Sequence, residues 1–308
     1  MADATQLGWI GTGRMGFEMA DRLLASGYDV AVWNRTRSKA EPLVASGASL
    51  VDSPAELADR RVVFTMVSAG ADLKEVLFGT NGLLTGPRVP AVVVDSSTVD
   101  PVDGAKLRET AATLGVEMLA APVSGNGKVV RAGALTMGVS GDREVFEGVR
   151  SYLEAIARSV IYVGPGETAR LVKIAHNLVL GVLTQGLAEV TVLVEKGGVS
   201  RHDFLAFLND SVLGSVFTRY KTPAFVNLDL TPTFTPVLLR KDFDLGLAAG
   251  HRLDVPLPVA ALVHQIISAA VAEGHHAEDF AVLLPLHARS AGLDLKPENR
   301  EVSDGFDP

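Results

Sequence analysis

Gly11, Gly13 and Gly16 stand in the spacing G-x-G-x-x-G, written out as Gly11-Thr12-Gly13-Arg14-Met15-Gly16. Glycine at the first place permits a tight turn. At the second it leaves no side chain between the backbone and a ligand. At the third it lets a helix lie close against a strand. The free N–H groups and positive dipole end of that helix attract phosphate. The spacing is weak evidence alone, but its context is present: the apolar run Leu7–Ile10 precedes it, and Met15, Met19 and Leu23 follow at helical spacing. The chemistry implied is capture of a dinucleotide pyrophosphate. The competing reading, a glycine-rich turn in an ordinary α/β domain, leaves the next signal unexplained.

That signal follows the β-type run Tyr28–Trp33, which ends in Asn34-Arg35-Thr36. At this strand end a carboxylate would bind a ribose 2′-hydroxyl, whereas a nearby arginine suits a 2′-phosphate. Here Asn34 removes the repulsive carboxylate and Arg35 offers a planar fork of donors. Thr36 adds a hydroxyl, and Lys39 lies one turn on. The pattern selects NADP over NAD. The alternative is a solvated Arg35 and an enzyme that uses either cofactor.

Further candidates sit at later strand ends. Met66, Val67 and Ser68 end one apolar run, and Ser97 and Thr98 follow another. In open α/β sheets ligands bind outside the carboxyl ends of strands, so these residues are placed beside the cofactor. Ordinary capping and turn formation by serine and threonine is the competing account. The turn Ser124-Gly125-Asn126-Gly127 is rich in N–H, hydroxyl and amide donors that could hold a carboxylate, or it is simply a turn. Lys173 and Asn177 are four apart in a strongly apolar helical stretch and share a face. A lysine there needs a reason. Either it serves chemistry, or it snorkels to solvent beside a satisfied asparagine. Lys241 and Asp244 share another helical face, as a site or as a solvated ion pair. His275 and His276 lie in a loop with no carboxylate spacing that makes a metal site, so no metal is expected.

The elements that must position these residues divide the chain. Strand and helix alternate through the first half, the pattern of a parallel sheet covered on both faces. Ser53-Pro54-Ala55-Glu56 reads as a helix start: serine cap, proline first, glutamate third. Gly164-Pro165-Gly166 then ends the β pattern, and Glu167–Lys196 reads as one long helix buried nearly all round. The remainder is helical. We therefore expect a nucleotide-binding domain over 1–164, an all-helical domain over 165–295 and a frayed tail over 296–308. The fold class is α/β: a doubly wound, mostly parallel sheet followed by an all-α domain joined to it by the long helix.

Composition bounds the function. With 308 residues, 47% of them hydrophobic, the chain can bury a sizeable core and fits two domains. A net charge of −8 with no local basic patch argues against nucleic acid. There is no cysteine, so no disulfide and no thiolate metal site. The polar start Met1–Leu7 does not resemble a signal peptide, and no apolar run is read as long enough to span a bilayer. A cytoplasmic protein without a membrane role is expected.

Four spaced motifs together resemble the β-hydroxyacid dehydrogenase family: Gly8-Trp9-Ile10-Gly11-Thr12-Gly13-Arg14-Met15-Gly16, Ala121-Pro122-Val123-Ser124-Gly125, Gly164 and Gly166 leading to Lys173 and Asn177, and Lys241-Asp242. They cover residues 7 to about 290. The resemblance implies a Rossmann domain plus an all-helical domain, assembled as homodimers or homotetramers. It makes Lys173 the catalytic residue and places Ser124, Gly125 and Asn177 on the substrate, with Lys241 near substrate and cofactor. One departure stands out: Asn126 occupies a place that is usually glycine, which narrows or repolarises the substrate loop.

The reaction expected is reversible hydride transfer between NADP and a small carboxylate-bearing aldehyde, keto acid or hydroxy acid. Lys173 would stabilise the nascent alkoxide and exchange its proton, which suits a lysine whose pKa burial brings toward neutrality. Two rivals are an imine reductase of the same architecture, which generally lacks the lysine, and a non-catalytic NADPH-binding protein.

Overall fold

In the computed structural model residues 6–306 are described. The chain divides into two compact units, Met1–Lys173 and Ile174–Pro308.

The first unit alternates β1 Gln6–Ile10, α1 Arg14–Ala25, β2 Asp29–Trp33, α2 Pro42–Ala45, β3 Ser49–Leu50, β4 Val62–Thr65, α3 Gly70–Phe78, β5 Val92–Asp95, α4 Pro101–Thr113 and β6 Glu117–Ala120. These six strands form one parallel sheet in the order β3-β2-β1-β4-β5-β6. The order reverses at β1, the switch point where such sheets bind dinucleotides. Strand alternation explains why both faces are dry. Trp9, Val32, Phe64 and Val94 enter one core, and Ile10, Ala31, Val63 and Val93 the other.

A second, three-stranded sheet completes the unit: β7 Val123–Ser124, α5 Gly127–Arg131, β8 Thr136–Val139, α6 Arg143–Ile156 and β9 Ser159–Tyr162. Its β7–β8 pair is antiparallel and its β8–β9 pair parallel. The two-residue strands β3 and β7 are too short to leave a period in the sequence. The helix expected from Ser53 is only a 3-10 turn over Pro54–Leu57. The Ser53 hydroxyl donates to Glu56 at 2.9 Å and caps no backbone N–H, so the two capping side chains satisfy each other.

Helix α7, Thr168–Lys196, spans the division point. The second unit adds α8 Arg201–Asp210, α9 Val216–Asn227, α10 Pro236–Arg252, α11 Pro258–Ala272 and α12 Leu283–Ser290. Reciprocal glycines set the crossing of α7 and α10. A Cβ on Gly181 would lie 2.4 Å from the Phe243 ring, and one on Gly246 would lie 2.7 Å from Leu178. Each glycine thus leaves room for a large side chain of the other helix, the Phe243 ring over Gly181 and Leu178 over Gly246.

Two expectations for this half are corrected. Helix α7 is not buried all round: Val179, Leu183, Val190 and Leu193 are exposed along one stripe. It is also long and apolar enough, by length and composition alone, to cross a membrane, with 44% of that window buried inside the fold. The tail expected to fray from Lys296 is docked as far as Phe306. Leu295 and Val302 pack on a core cluster, Glu298 accepts the Arg201 and His202 N–H groups at 2.7 and 3.1 Å, and Phe306 stacks on Tyr220. Its few apolar residues are too sparse to show a helical face, but they have a groove to fill.

Candidate active site

The glycine motif builds an open cradle. Gly11 follows β1 with a φ of +95°, and its N–H donates to Trp33 O at 2.9 Å. A Cβ there would lie 2.3 Å from Met66 O, and one on Gly16 would lie 2.0 Å from Gly11 O. Both glycines are thus required by close approach. Gly13 differs: it is exposed, and a Cβ on it meets nothing within 4 Å. Helix α1 opens directly after it, at Arg14, with no side-chain cap and no acidic residue in the first turn. The N-cap residue offers these first N–H groups no side chain, and the positive end of the helix dipole lies beside the open Gly13. Thr12 is buried and its hydroxyl makes no hydrogen bond. The donor set, the free space and the lone hydroxyl fit a dinucleotide pyrophosphate over Gly13 to Gly16.

The second strand supplies the neighbouring groups. Asn34 Oδ1 accepts the Thr12 N–H at 2.9 Å, and Asn34 Nδ2 donates to Thr36 O at 2.8 Å. The asparagine thus ties the glycine loop to the end of β2 with its own amide. Arg35 is 79% exposed and donates to Asp72 Oδ1 at 2.9 Å. An exposed pair of this kind is worth about 0–1 kcal/mol, so Arg35 can turn to a phosphate at little cost.

The ends of β4 and β5 hold a buried polar network that the sequence reading passed over. Asp95 Oδ1 accepts the Thr65 hydroxyl at 2.6 Å and the Ser97 N–H at 3.2 Å. Ser97 is fully buried, and its hydroxyl accepts the Val67 N–H at 2.9 Å, so it shapes this turn rather than facing solvent. Met66, Val67 and Thr98 are half-buried and Ser68 is exposed. Arg170, 2% exposed on α7, donates to Asp95 Oδ2 at 2.7 Å, to Ser97 O at 3.2 Å and to Glu167 Oε2 at 2.6 Å. Burial works against the Arg170 charge, but Asp95 and Glu167 outweigh it and the guanidinium is held above its ordinary pKa. One signal was available: an arginine on an apolar helix, three residues after Glu167 and three before Lys173.

The Ser124–Gly127 stretch proves to be more than a turn. Ser124 ends β7 and Gly125 adopts a φ of +142°. Asn126 caps the short helix α5, its Oδ1 accepting the Val129 N–H at 3.1 Å. Its Nδ2 is buried with no hydrogen-bond partner. A Cβ on Gly127 would lie 3.3 Å from Arg14 O, which places this stretch against the first turn of α1. The fold thus brings the Ser-Gly-Asn stretch beside the glycine cradle, two segments over a hundred residues apart in sequence.

Lys173 is half-buried in the second turn of α7. In the second unit Asn177 is 2% exposed and donates through Nδ2 to Asp242 Oδ2, while its Oδ1 meets His176 Nδ1 at 2.9 Å. Lys241 Nζ lies 3.2 Å from Asp242 Oδ1. Asp242 therefore links the two predicted residues Asn177 and Lys241. The face shared by Lys241 and Asp244 is not an ion pair between them: Asp244 instead meets His264 Nε2 at 2.7 Å.

Comparison with known proteins agrees with this geometry. The profile of the NAD binding domain of 6-phosphogluconate dehydrogenase matches residues 6–164, and that of the NAD-binding region of NADP-dependent 3-hydroxyisobutyrate dehydrogenase matches 167–287. A 2-(hydroxymethyl)glutarate dehydrogenase of Eubacterium barkeri is 31% identical over 297 residues, 96% of this chain and 99% of that one. The cytokine-like nuclear factor N-PAC of Xenopus tropicalis is 32% identical over 87% of this chain, which spans 50% of that longer protein. The structure of Mycobacterium tuberculosis 3-hydroxyisobutyrate dehydrogenase with L-serine superposes with a TM-score of 0.80 at 27% identity, covering 92% of this chain and 99% of that one. Fold, cradle and relatives together define an NADP-dependent hydroxyacid oxidoreductase. The chain belongs to the β-hydroxyacid dehydrogenase family.

Proposed function

We propose that the chain interconverts a small β-hydroxy acid and the matching semialdehyde or keto acid, with Lys173 as general acid and base. Bound NADP supplies or accepts the hydride. Gly13 to Gly16 and the first turn of α1 hold its pyrophosphate, and Arg35 with Thr36 receives the 2′-phosphate. Ser124, the Gly125 N–H and the unpartnered Asn126 amide bind the substrate carboxylate. Lys173 stabilises charge on the carbonyl oxygen as an alkoxide develops and delivers the proton to it. Asn177 orients the substrate, and Lys241 adds positive charge.

The observation that carries this reading is the glycine cradle without a side-chain cap, in the same unit as the half-buried Lys173, which stands three residues beyond the Arg170 that is bound to the end of β5. The test is oxidation of NADPH and of NADH with glyoxylate, succinic semialdehyde, methylmalonate semialdehyde and a cyclic imine. Turnover of a semialdehyde with NADPH favoured supports the reading. Turnover of the imine alone reassigns the substrate. Tight NADPH binding with no turnover of any of them moves the chain to a binding role.

The oligomer is a homodimer on this reading. Val179, Leu183, Val190 and Leu193 are 58%, 53%, 43% and 70% exposed along one helical stripe of α7. A stripe of that apolarity on a helix otherwise built into a core is suited to burial against a second copy.

A further inference from the structure

Arg170 is buried, and two carboxylates share its charge. Three residues later on the same helix stands Lys173. The Arg170 guanidinium donates to the Asp95 carboxylate at 2.7 Å and the Ser97 carbonyl at 3.2 Å, both at the end of β5, and to the Glu167 carboxylate just before α7 at 2.6 Å. Asp95 in turn holds Thr65 and the Ser97 N–H, and Ser97 holds the Val67 N–H. Glu167 is itself clamped from the other side by Arg108 Nε at 2.8 Å.

Room for this knot is made deliberately. Gly104 lies within α4, where glycine weakens a helix. A Cβ there would come 2.4 Å from Arg170 Nε and 2.7 Å from Glu167 Oε2. The chain thus accepts a helical glycine so that the guanidinium can reach Asp95. A buried ion pair is a poor way to gain stability, because desolvation consumes most of the attraction; such pairs are better at fixing a unique arrangement.

We propose that Arg170 is the positioning residue for the catalytic lysine: clamped between Asp95 and Glu167, it pins the first turn of α7 to the turns after β4 and β5, and so fixes Lys173 relative to the strand ends that carry the cofactor. This rests on the reading of Lys173 as the catalytic residue. Its specific content is a fixed link between the cofactor turns and the proton donor. Displacing a catalytic group by about 1 Å costs on the order of 100-fold in rate. A flexible first turn would therefore cut turnover while leaving the glycine cradle intact.

The experiment compares Arg170→Gln, Arg170→Lys, Asp95→Asn and the double variant Asp95→Asn/Arg170→Gln with the parent protein. Arg170→Gln leaves the buried Asp95 carboxylate without its cation and can simply unfold the unit, whereas Asp95→Asn leaves Arg170 paired with Glu167; the double variant removes both members of the Asp95–Arg170 pair. Four readouts are taken: melting temperature, NADPH dissociation constant by nicotinamide fluorescence, kcat and KM with succinic semialdehyde, and amide hydrogen exchange over residues 168–176 with NADPH bound. For the double variant we expect near-parental melting and NADPH affinity within about 3-fold. We expect kcat down roughly 100-fold with KM little changed, and exchange over 168–173 faster by about 10-fold or more. Arg170→Lys, which keeps the charge but loses the fork, should recover part of both.

A folded double variant with parental kcat and parental amide protection overturns the proposal. Lys173→Ala, run alongside, separates the two claims. If it keeps turnover, the reading of Lys173 fails, and exchange over 168–173 still decides whether Arg170 anchors the helix. If it is inactive while the double variant is fully active, only the positioning role fails.

Discussion

At the residue scale the glycines separate into two kinds, and the separation is testable. Gly13→Ala adds a methyl where nothing stands within 4 Å, so the protein should fold and melt as before. The methyl would still meet an approaching phosphate, so the NADPH dissociation constant should rise by about 10-fold or more, as read by nicotinamide fluorescence. Gly16→Ala drives a Cβ to 2.0 Å from Gly11 O and should be severely destabilised, visible as a lost or lowered melting transition. Arg35 makes a cofactor prediction. Charge-assisted hydrogen bonds are worth about 1.5–3 kcal/mol, so Arg35→Ala should lower kcat/KM for NADPH by roughly 10- to 100-fold and leave NADH nearly unchanged. Equal losses with both cofactors would remove Arg35 from the 2′-phosphate.

What was legible at this scale was legible because chemistry needs particular residue types. The glycine spacing and Asn34-Arg35 could be read directly. Asn34 nevertheless does more than vacate a carboxylate position: its amide ties Thr12 to Thr36, and its bond to Thr12 spans 22 residues that no local pattern encodes. Asp95 and Arg170 escaped notice because an ion pair between residues 75 apart has no signature in spacing. The Lys241–Asp244 face misled for the opposite reason. Helical neighbours suggested a pair, while Asp242 and His264 were closer partners in space.

At the element scale the long helices and the strands of four residues or more followed from periodicity, and the errors fell on short or docked segments. The strand β7 and helix α5 together span fewer than ten residues and are held by Gly125, Asn126 and the packing of Gly127 on α1. The seating of Phe243 and Leu178 between α7 and α10 depends on Gly181 and Gly246, which read in sequence only as weak points in two helices. Gly181→Ala should therefore cost stability in the second unit, by about 1–3 kcal/mol for an overpacked contact, measured by urea unfolding. In the same unit Lys221 and Asp279 form an ion pair with both side chains at 2% exposure or less. Burial pulls the Lys221 pKa down more than Asp279 raises it. Lys221→Met strands the Asp279 carboxylate, and unfolding in urea should show a loss of about 3–5 kcal/mol.

At the scale of the whole molecule the fold class was the most legible property, since alternating strands and helices give way to helices alone after Gly166. The exposed stripe on α7 was not. In sequence it merged with the buried positions of the same helix, and only packing separated them. Leu183→Glu/Leu193→Glu should leave the protomer folded and convert a dimer to monomer in sedimentation equilibrium. A dimer that survives both charges would place the subunit contact elsewhere. The docked tail has a parallel lesson: its polar composition suggested fraying, yet Glu298 supplies the carboxylate that α8 needs at its N-terminus.

The central claim is that Lys173 moves the proton while the glycine cradle holds NADP. Single-turnover oxidation of bound NADPH by succinic semialdehyde, in the parent protein and in Lys173→Ala, tests it most directly. The account predicts an unchanged NADPH dissociation constant and a rate lowered by about 100- to 10,000-fold, the usual contribution of a positioned acid. A variant that binds NADPH normally and oxidises it at the parental rate would contradict it.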